Sequence, residues 1–295
     1  MANSPHKSIS TLRLGERDFV WGERTYVMGV VNATPDSFSG DGVLPTTGEV
    51  QQAVDQALRM EDEGADIIDI GGESTRPVSI YPDAKPVEAE NEIARVVPVI
   101  EGLIGRLEVP ISIDTRKATV AAAAVAAGAS LVNDVSMLGD AAMSGMLAES
   151  GVPIIVSHIR QGRHQGDVVE DVLGDLRRSI EELVSAGVER SHVIVDPGVG
   201  FAKSGAQSMA LLRNISELRA ILALPVLIGT SRKSFIGAVT GESVDDRRFG
   251  TAATVALAIQ GGADIVRVHD MREMVSVVKM SDALTRQQRD GTPDA

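Results

Sequence analysis

An eightfold alternation of short apolar runs with Ala-rich helical stretches predicts a single (β/α)8 barrel. Three observations carry that prediction. Eight runs are rich in Val, Ile or Leu with few charges, as strands covered on both faces are: residues 26–32, 65–71, 110–114, 130–134, 153–158, 192–196, 225–229 and 264–269. Four of the returns share a signature, Glu63-Gly-Ala-Asp, Ala127-Gly-Ala-Ser, Ala186-Gly-Val and Gly261-Gly-Ala-Asp, in which glycine caps a helix and turns the chain into the next strand. Each apolar run also ends in polar residues. A doubly wound open sheet is the architectural alternative; eight units of this size fit the closed barrel better.

Taken in order, residues 1–25 precede the repeat, and 12–21, with Gly15-Glu16 in the middle, predict a small hairpin over one barrel end. The barrel is expected over 26–286, with helices at 49–63, 88–107, 117–127, 167–186 and 247–260, and a polar tail at 287–295. Within it, Asp245-Asp-Arg-Arg248 reads as a solvated helix start.

Composition excludes several classes. A formal net charge of −13 and a pI of about 4.9 argue against broad electrostatic binding of nucleic acid. No apolar run approaches the roughly 18 residues of a membrane span. The opening Met1-Ala-Asn-Ser-Pro-His-Lys7 lacks the apolar core of a signal peptide. The chain has no Cys, which removes disulfides and thiolate chemistry and fits a cytoplasmic protein.

The strand ends carry the chemistry, because barrel enzymes gather it at the carboxyl ends of their strands. They read Asn32 with Thr34, then Glu73-Ser-Thr-Arg76, Asp114-Thr-Arg116, Asn133-Asp134, His158, Asp196, Ser231-Arg-Lys233 and Arg267-Val-His-Asp270. Charges deep in apolar runs cost several kcal/mol unless paired or used, and Asp114, Asp196 and Arg267 sit there. A lone charge of this kind is most often a structural ion pair; eight polar ends together make a site. Arg76, Arg232, Lys233, Arg267 and His269 form a cationic set in an acidic protein, suited to a phosphate or diphosphate. Asp114, Asn133 and Asp196 offer acceptors and one amide to a flat ligand bearing N–H donors. No His pair at ligand spacing and no Cys argue against a transition metal. One Mg²⁺ held by Asn32, substrate phosphates and water fits its hard-cation habits. His158, His164 and His192 suggest no Ser/His/Asp triad, and Gly198-Val-Gly200-Phe201 lacks dinucleotide-loop spacing.

Seven motifs in order then resemble the dihydropteroate synthase family: Gly29-Val-Val-Asn-Ala-Thr-Pro-Asp-Ser-Phe38, Asp69-Ile-Gly-Gly-Glu-Ser-Thr-Arg-Pro77, Ser112-Ile-Asp-Thr115, Val132-Asn-Asp-Val135, Asp196-Pro-Gly-Val-Gly-Phe201, Ser231-Arg-Lys233 and Arg267-Val-His-Asp270. The resemblance spans about 26–279. It implies condensation of (7,8-dihydropterin-6-yl)methyl diphosphate with 4-aminobenzoate to give 7,8-dihydropteroate and diphosphate. It implies that Asp114, Asn133 and Asp196 hold the pterin, with Lys233 on its ring and Thr75 among the pterin-diphosphate contacts. Arg267 and His269 would bind the diphosphate, Asn32 the Mg²⁺, and Thr34, Arg76, Pro77, Phe201 and Ser231 the aminobenzoate pocket. Lys233, Arg267, His269 and Asp114 would be the catalytic group. Sulfonamides would compete for the aminobenzoate site, and the assembly would be a homodimer. Two readings share part of the pattern: a pterin-binding barrel of the methyltransferase type, and a catalytically silent pterin-binding paralogue. The set Ser231-Arg-Lys233 with Arg267-Val-His269 favours the synthase.

Departures from the family pattern are local. Val78 stands where a Gly is usual, within a divergent segment 78–88; Ala202 and Met137-Leu138 also stand at Gly positions, and the connection after Ser157-His-Ile-Arg-Gln161 is short.

Overall fold

The computed structural model describes residues 11–34, 46–73, 87–160 and 166–286. The expected hairpin is present: β1 (Thr11–Leu14) and β2 (Arg17–Val20) pair antiparallel across Gly15, whose φ of +57° is the left-handed conformation a tight turn requires. The barrel strands are β3 (Tyr26–Asn32), β4 (Ile67–Gly71), β5 (Ile111–Asp114), β6 (Leu131–Asp134), β7 (Ile154–Ser157), β8 (Val193–Asp196), β9 (Leu227–Ile228) and β10 (Ile265–Val268). All eight pair in parallel, in the order β8-β7-β6-β5-β4-β3-β10-β9. The two ends of that order meet, because Val195 bridges Val226 and its N–H donates to the Pro225 carbonyl at 3.0 Å. The sheet is closed, and the open-sheet alternative is set aside.

Around it lie α1 (Thr47–Asp62), α2 (Ala89–Leu103), α3 (Ala118–Ala126), α4 (Met143–Ser150), α5 (Val168–Ala186), α6 (Gly205–Arg213), α7 (Ile215–Leu222), α8 (Ser234–Thr240), α9 (Arg248–Gln260) and α10 (Met271–Thr285). Their starts follow capping chemistry: Thr46 with Glu49, and Ser204 with Gln207, form capping boxes, and the Asp167 carboxylate accepts from the Val169 N–H. The helix expected to reach 107 ends at Leu103, where Ile104 turns extended and Gly105 takes φ +75°. Arg247 is not simply solvated: its Nη1 donates to the Arg232 carbonyl at 3.0 Å.

Two apolar layers result. The larger packs the outer faces of the strands on the helices. The smaller fills the barrel interior at the end where the strands begin, with Leu12, Leu14, Phe19 and Trp21 of the hairpin region against Tyr26, Met28, Ile67, Leu131, Ile155, Ile194, Leu227 and Ile265. Phe19, Trp21 and Tyr26 stack with ring centroids 4.5–5.8 Å apart. The hairpin is therefore a plug for that end. Residues 287–295 lie outside those described.

Candidate active site

Side chains alternate across a strand, so the residue two positions beyond an interior-facing one faces the same interior. Applied to the apolar layer, this rule gives Asp69 after Ile67, Asn133 after Leu131, Ser157 after Ile155, Asp196 after Ile194, Gly229 after Leu227 and Arg267 after Ile265. Within two residues every one of these strands changes from aliphatic to polar or open. Register aligns the tips, with Asn32 beside Gly71, Gly71 beside Asp114 and Asp114 beside Asn133.

At the centre Arg267 bridges two strands: its Nε donates to Asp69 Oδ2 at 2.6 Å and its Nη2 to Asp114 Oδ2 at 2.7 Å. Asn133 Nδ2 donates to the same Asp69 oxygen at 3.0 Å. Burial pushes the Asp114 carboxyl up to about 7, against the pull of Arg267 and with help from the negative Asp69. Arg267 is raised by these two carboxylates in spite of its burial and stays charged. One oxygen of each partner is left over. Asp69 Oδ1, Ser112 Oγ, Asp114 Oδ1 and Asn133 Oδ1 are buried and have no hydrogen-bond partner among the described residues. Each such atom costs about 1–3 kcal/mol, so four in one interior are a demand for a donor-bearing ligand.

Asp196, on the opposite wall, is anchored at both oxygens with acceptor capacity to spare: Oδ1 accepts the Gly198 N–H at 2.7 Å and Oδ2 the Ser157 hydroxyl at 3.2 Å. The turn it caps contains Gly198 (φ +67°) and Gly200 (φ +82°). No other residue fits at Gly198, because a Cβ would lie 1.9 Å from the His158 carbonyl oxygen. Lys233 donates to the Val199 carbonyl of this turn, and its ammonium lies 3.9 Å from the centroid of the Phe201 ring. Burial, reinforced by Arg267 and opposed by Asp196, pulls Lys233 down to about 8.

His269 and Ser231 meet, with Nδ1 2.9 Å from the hydroxyl oxygen, which also accepts the His269 N–H at 3.3 Å. Burial and the cations Arg267 and Arg232 push His269 down to about 4, so at neutral pH it contributes a neutral imidazole to a set expected to be cationic. Arg232, of the same set, is held two-pronged by Asp270, at 3.1 and 2.5 Å, and is raised by that partner.

Asn32 is half-buried at the tip of β3 and Thr34 is buried just beyond it. Thr75, Arg76 and Pro77, like the divergent segment 78–86 and Gln161, lie outside the described residues. Sequence reasoning passed over Asp69 as a site residue, although it interrupts Ile67-Ile68-Asp69-Ile70 just as Asp114 interrupts its own run. It also passed over Ser112, Ser157 and Lys203, which in sequence pass as ordinary strand or loop residues.

Comparison with known proteins places this geometry. Residues 28–269 match the family described as pterin binding enzyme. The dihydropteroate synthase of Bacillus subtilis is 46% identical over 263 residues, 89% of either chain. A Clostridium difficile dihydropteroate synthase structure determined in the presence of pteroic acid superposes with a TM-score of 0.86 at 42% identity, covering 91% of this chain and all (100%) of that one. The Xanthomonas albilineans enzyme with 4-aminobenzoic acid superposes with a TM-score of 0.87 at 40% identity, covering 96% of this chain and 100% of that one. A match over the whole barrel, in proteins whose length this chain spans, leaves one assignment: the chain belongs to the pterin-binding enzymes and, among them, to the dihydropteroate synthase family.

Proposed function

We propose that the protein condenses (7,8-dihydropterin-6-yl)methyl diphosphate with 4-aminobenzoate, forming 7,8-dihydropteroate and releasing diphosphate. The observation that carries this reading is the row of buried acceptors without partners, Asp69 Oδ1, Ser112 Oγ, Asp114 Oδ1 and Asn133 Oδ1. A pterin presents amino and ring N–H donors along one flat edge, and pairing them satisfies these acceptors. Asp196 at the end of β8 and Lys233 after β9 flank the ring, and Phe201, Ser231 and Thr34 face the aminobenzoate side; the family motif adds Thr75 to the pterin-diphosphate contacts and Arg76 and Pro77 to the aminobenzoate pocket. Arg267 and His269 receive the diphosphate; its negative charge raises the imidazole from about 4 and draws a proton onto it.

The chemistry needs no covalent nucleophile. The methylene C–O bond breaks with its electron pair leaving on diphosphate, the positive charge spreads into the electron-rich pterin, and the arylamine nitrogen forms the new C–N bond and loses a proton to solvent. Placement of two substrates and stabilisation of the leaving anion supply the rate. Mg²⁺ fits the donor set in a limited way: Asn32 offers one hard oxygen at the strand tip, and no cluster of three His, Asp or Glu able to hold a metal exists among the described residues. Mg²⁺ bound there would neutralise diphosphate charge, with phosphate oxygens and water completing its shell.

No described helix is long and apolar enough to cross a membrane, and with a chain free of Cys this supports a cytoplasmic location. Sulfonamides, as mimics of aminobenzoate, compete for its pocket. A second copy covers the face of α6, α8 and α9, where a groove of about 470 Å³ is lined by Met209, Leu212, Phe235 and Leu257, and where Phe249 is 85% and Leu257 60% exposed. The wild type sediments as a dimer on this reading and the double variant Phe249→Glu, Leu257→Glu as a monomer; an unchanged mass sinks the assignment of that face.

The deciding assay is diphosphate release by purified protein with Mg²⁺ and the pterin diphosphate, with and without 4-aminobenzoate. Release that requires aminobenzoate and yields dihydropteroate establishes the synthase. Pterin binding without release would return the silent-paralogue reading, and methyl transfer in its place the methyltransferase one.

A further inference from the structure

Behind the turn after β8 lies a buried polar relay that the reaction above does not use. Lys203 Nζ sits 2.9 Å from His158 Nδ1, 2.9 Å from the Gly198 carbonyl, 3.1 Å from the Phe201 carbonyl and 3.3 Å from the His158 carbonyl. His158, fully buried, places its other ring nitrogen 3.0 Å from Asp175 Oδ2. Arg160 grips the same carboxylate at 2.9 and 3.1 Å, which holds Asp175 below the usual carboxylate range in spite of its burial. The relay therefore runs from α5 through the end of β7 to the loop beyond β8.

That loop is the one on which the pterin side of the site rests. Its Val199 carbonyl receives the Lys233 ammonium, its Phe201 ring carries the same ammonium, and its Gly198 N–H is fixed by Asp196. Lys203 and Lys233 thus hold different carbonyls of a single turn, Gly198 and Phe201 for the first and Val199 for the second. We infer that Lys203 is a positioning residue for the transfer, one whose ammonium fixes the turn 198–201 and so sets where Lys233 and Phe201 meet the substrates.

The shape of the cradle says why the residue is a lysine. Three carbonyls and one imidazole nitrogen converge on one point, which a compact ammonium with three N–H donors serves and a planar guanidinium fork does not. The turn is closely packed against both elements: Gly198 is pressed against the His158 carbonyl, and a Cβ at Gly200 would lie 2.6 Å from Lys233 Cδ, so only glycine lets the turn approach His158 and Lys233 this closely. Burial and the nearby Lys233 draw Lys203 down to about 8, a cost consistent with a charge kept for its geometry.

This inference rests on the synthase reading, and the test separates the two. The chain has no Cys, so the thiol of Lys203→Cys is unique. Alkylated with 2-bromoethylamine it regains an ammonium at nearly the lysine position; alkylated with ethyl iodide it regains the bulk alone. Turnover of pterin diphosphate with 4-aminobenzoate is then compared with wild type, together with melting temperature and with pterin diphosphate binding followed by its own fluorescence. The ethyl form is expected to lose at least about tenfold in kcat and to bind pterin diphosphate more weakly, and the aminoethyl form to recover to within about threefold of wild type, while the two melt alike. Equal activity in the two forms overturns the inference, because bulk would then suffice. Lys203→Arg keeps the charge but not the ammonium's compact geometry and, with its melting temperature measured alongside, is expected to fall at least about threefold; wild-type kinetics in that variant also overturns the inference. Should wild type itself make no dihydropteroate, the synthase reading fails, and the binding comparison alone still decides the role of Lys203.

Discussion

Where the barrel strands begin, the interior is Leu131, Ile155, Ile194, Leu227 and Ile265 under an aromatic plug; two residues further along the same strands it holds Asn133, Ser157, Asp196, Gly229 and Arg267. The turns differ as well. At the beginning, left-handed backbone falls mostly on glycines, Gly15, Gly64, Gly128, Gly187 and Gly262, with Ala223 at φ +50° the exception before β9. At the finishing end, Met137, Leu138, Ala202 and Arg232 take φ of +49 to +61° without being glycine. The plug end is mostly apolar and glycine-turned, with Trp21 Nε1 and Ser130 Oγ its few buried polar atoms lacking a partner among the described residues. The other keeps unpaired acceptors and strained loops, the pattern of a surface shaped for a ligand rather than for stability.

The largest effect that would break this division is at the plug. Phe19 is 2% exposed, and Phe19→Ala leaves a cavity worth about 3–5 kcal/mol. Denaturant melts are expected to show that loss, while kcat and KM measured well below the melting temperature stay at wild-type values. A fall in kcat of tenfold with little loss of stability would mean that the two ends are coupled. Next comes Asp196→Asn, which keeps an oxygen for the Gly198 N–H but turns an N–H donor toward a donor-bearing ring. Pterin affinity should fall by about 2–5 kcal/mol with stability within about 1 kcal/mol of wild type. Titration calorimetry with the pterin diphosphate decides it, and unchanged affinity would remove Asp196 from the site.

Much of this contrast was legible in the sequence, for a physical reason. Runs such as Ile111–Asp114 are short enough that a charge at their end stands out against the aliphatic residues, and the period of two then assigns it a face. What was not legible depended on partners distant in the chain. Arg267 announced itself as a cation for an anion, yet its neighbours are Asp69 and Asp114, 198 and 153 residues away. The Gly-Ala-Asp returns were read for their glycine. Their aspartates matter too: Asp66 accepts the Val27 N–H at 2.8 Å and Asp264 the Val226 N–H at 3.0 Å, each fixing the start of a neighbouring strand. Lys203 had no signal in its own segment, because two of its four acceptors belong to His158, 45 residues away on another loop.

A pH experiment sharpens the account of the finishing end. The Asp114 carboxyl is raised from 3.8 to about 7, so between those values the folded state holds more protons than the unfolded one and stability falls as pH rises. His269 is lowered from 6.5 to about 4, so across that window the unfolded state holds more protons and stability rises with pH. From about pH 4 to 6.5 the two slopes oppose each other, each at most about 1.4 kcal/mol per pH unit. Wild type should therefore be nearly flat there, and Asp114→Asn should gain stability as pH rises from 4.5 to 6.5. Identical slopes for the two proteins in urea melts would show that Asp114 takes up no proton in this range on folding.

The smallest effects test the strain itself, and two loop positions should differ in sign. Ala202 is exposed, with φ +49°, where L-residues other than Asn and Asp are disfavoured. Ala202→Gly removes the Cβ clash and no packing, so the relief outweighs the added freedom of the unfolded chain and the protein gains about 0.5–1 kcal/mol. Leu138, at φ +61°, carries similar backbone strain but is 8% exposed, and its N–H is held by Asp134 Oδ2 at 2.5 Å. Leu138→Gly relieves the same clash and forfeits a buried side chain, a loss of about 2–5 kcal/mol that dominates. Thermal melts should thus rise for the first variant and fall for the second. Two shifts of the same sign would show that backbone strain is not what separates these loops from the glycine turns at the opposite end.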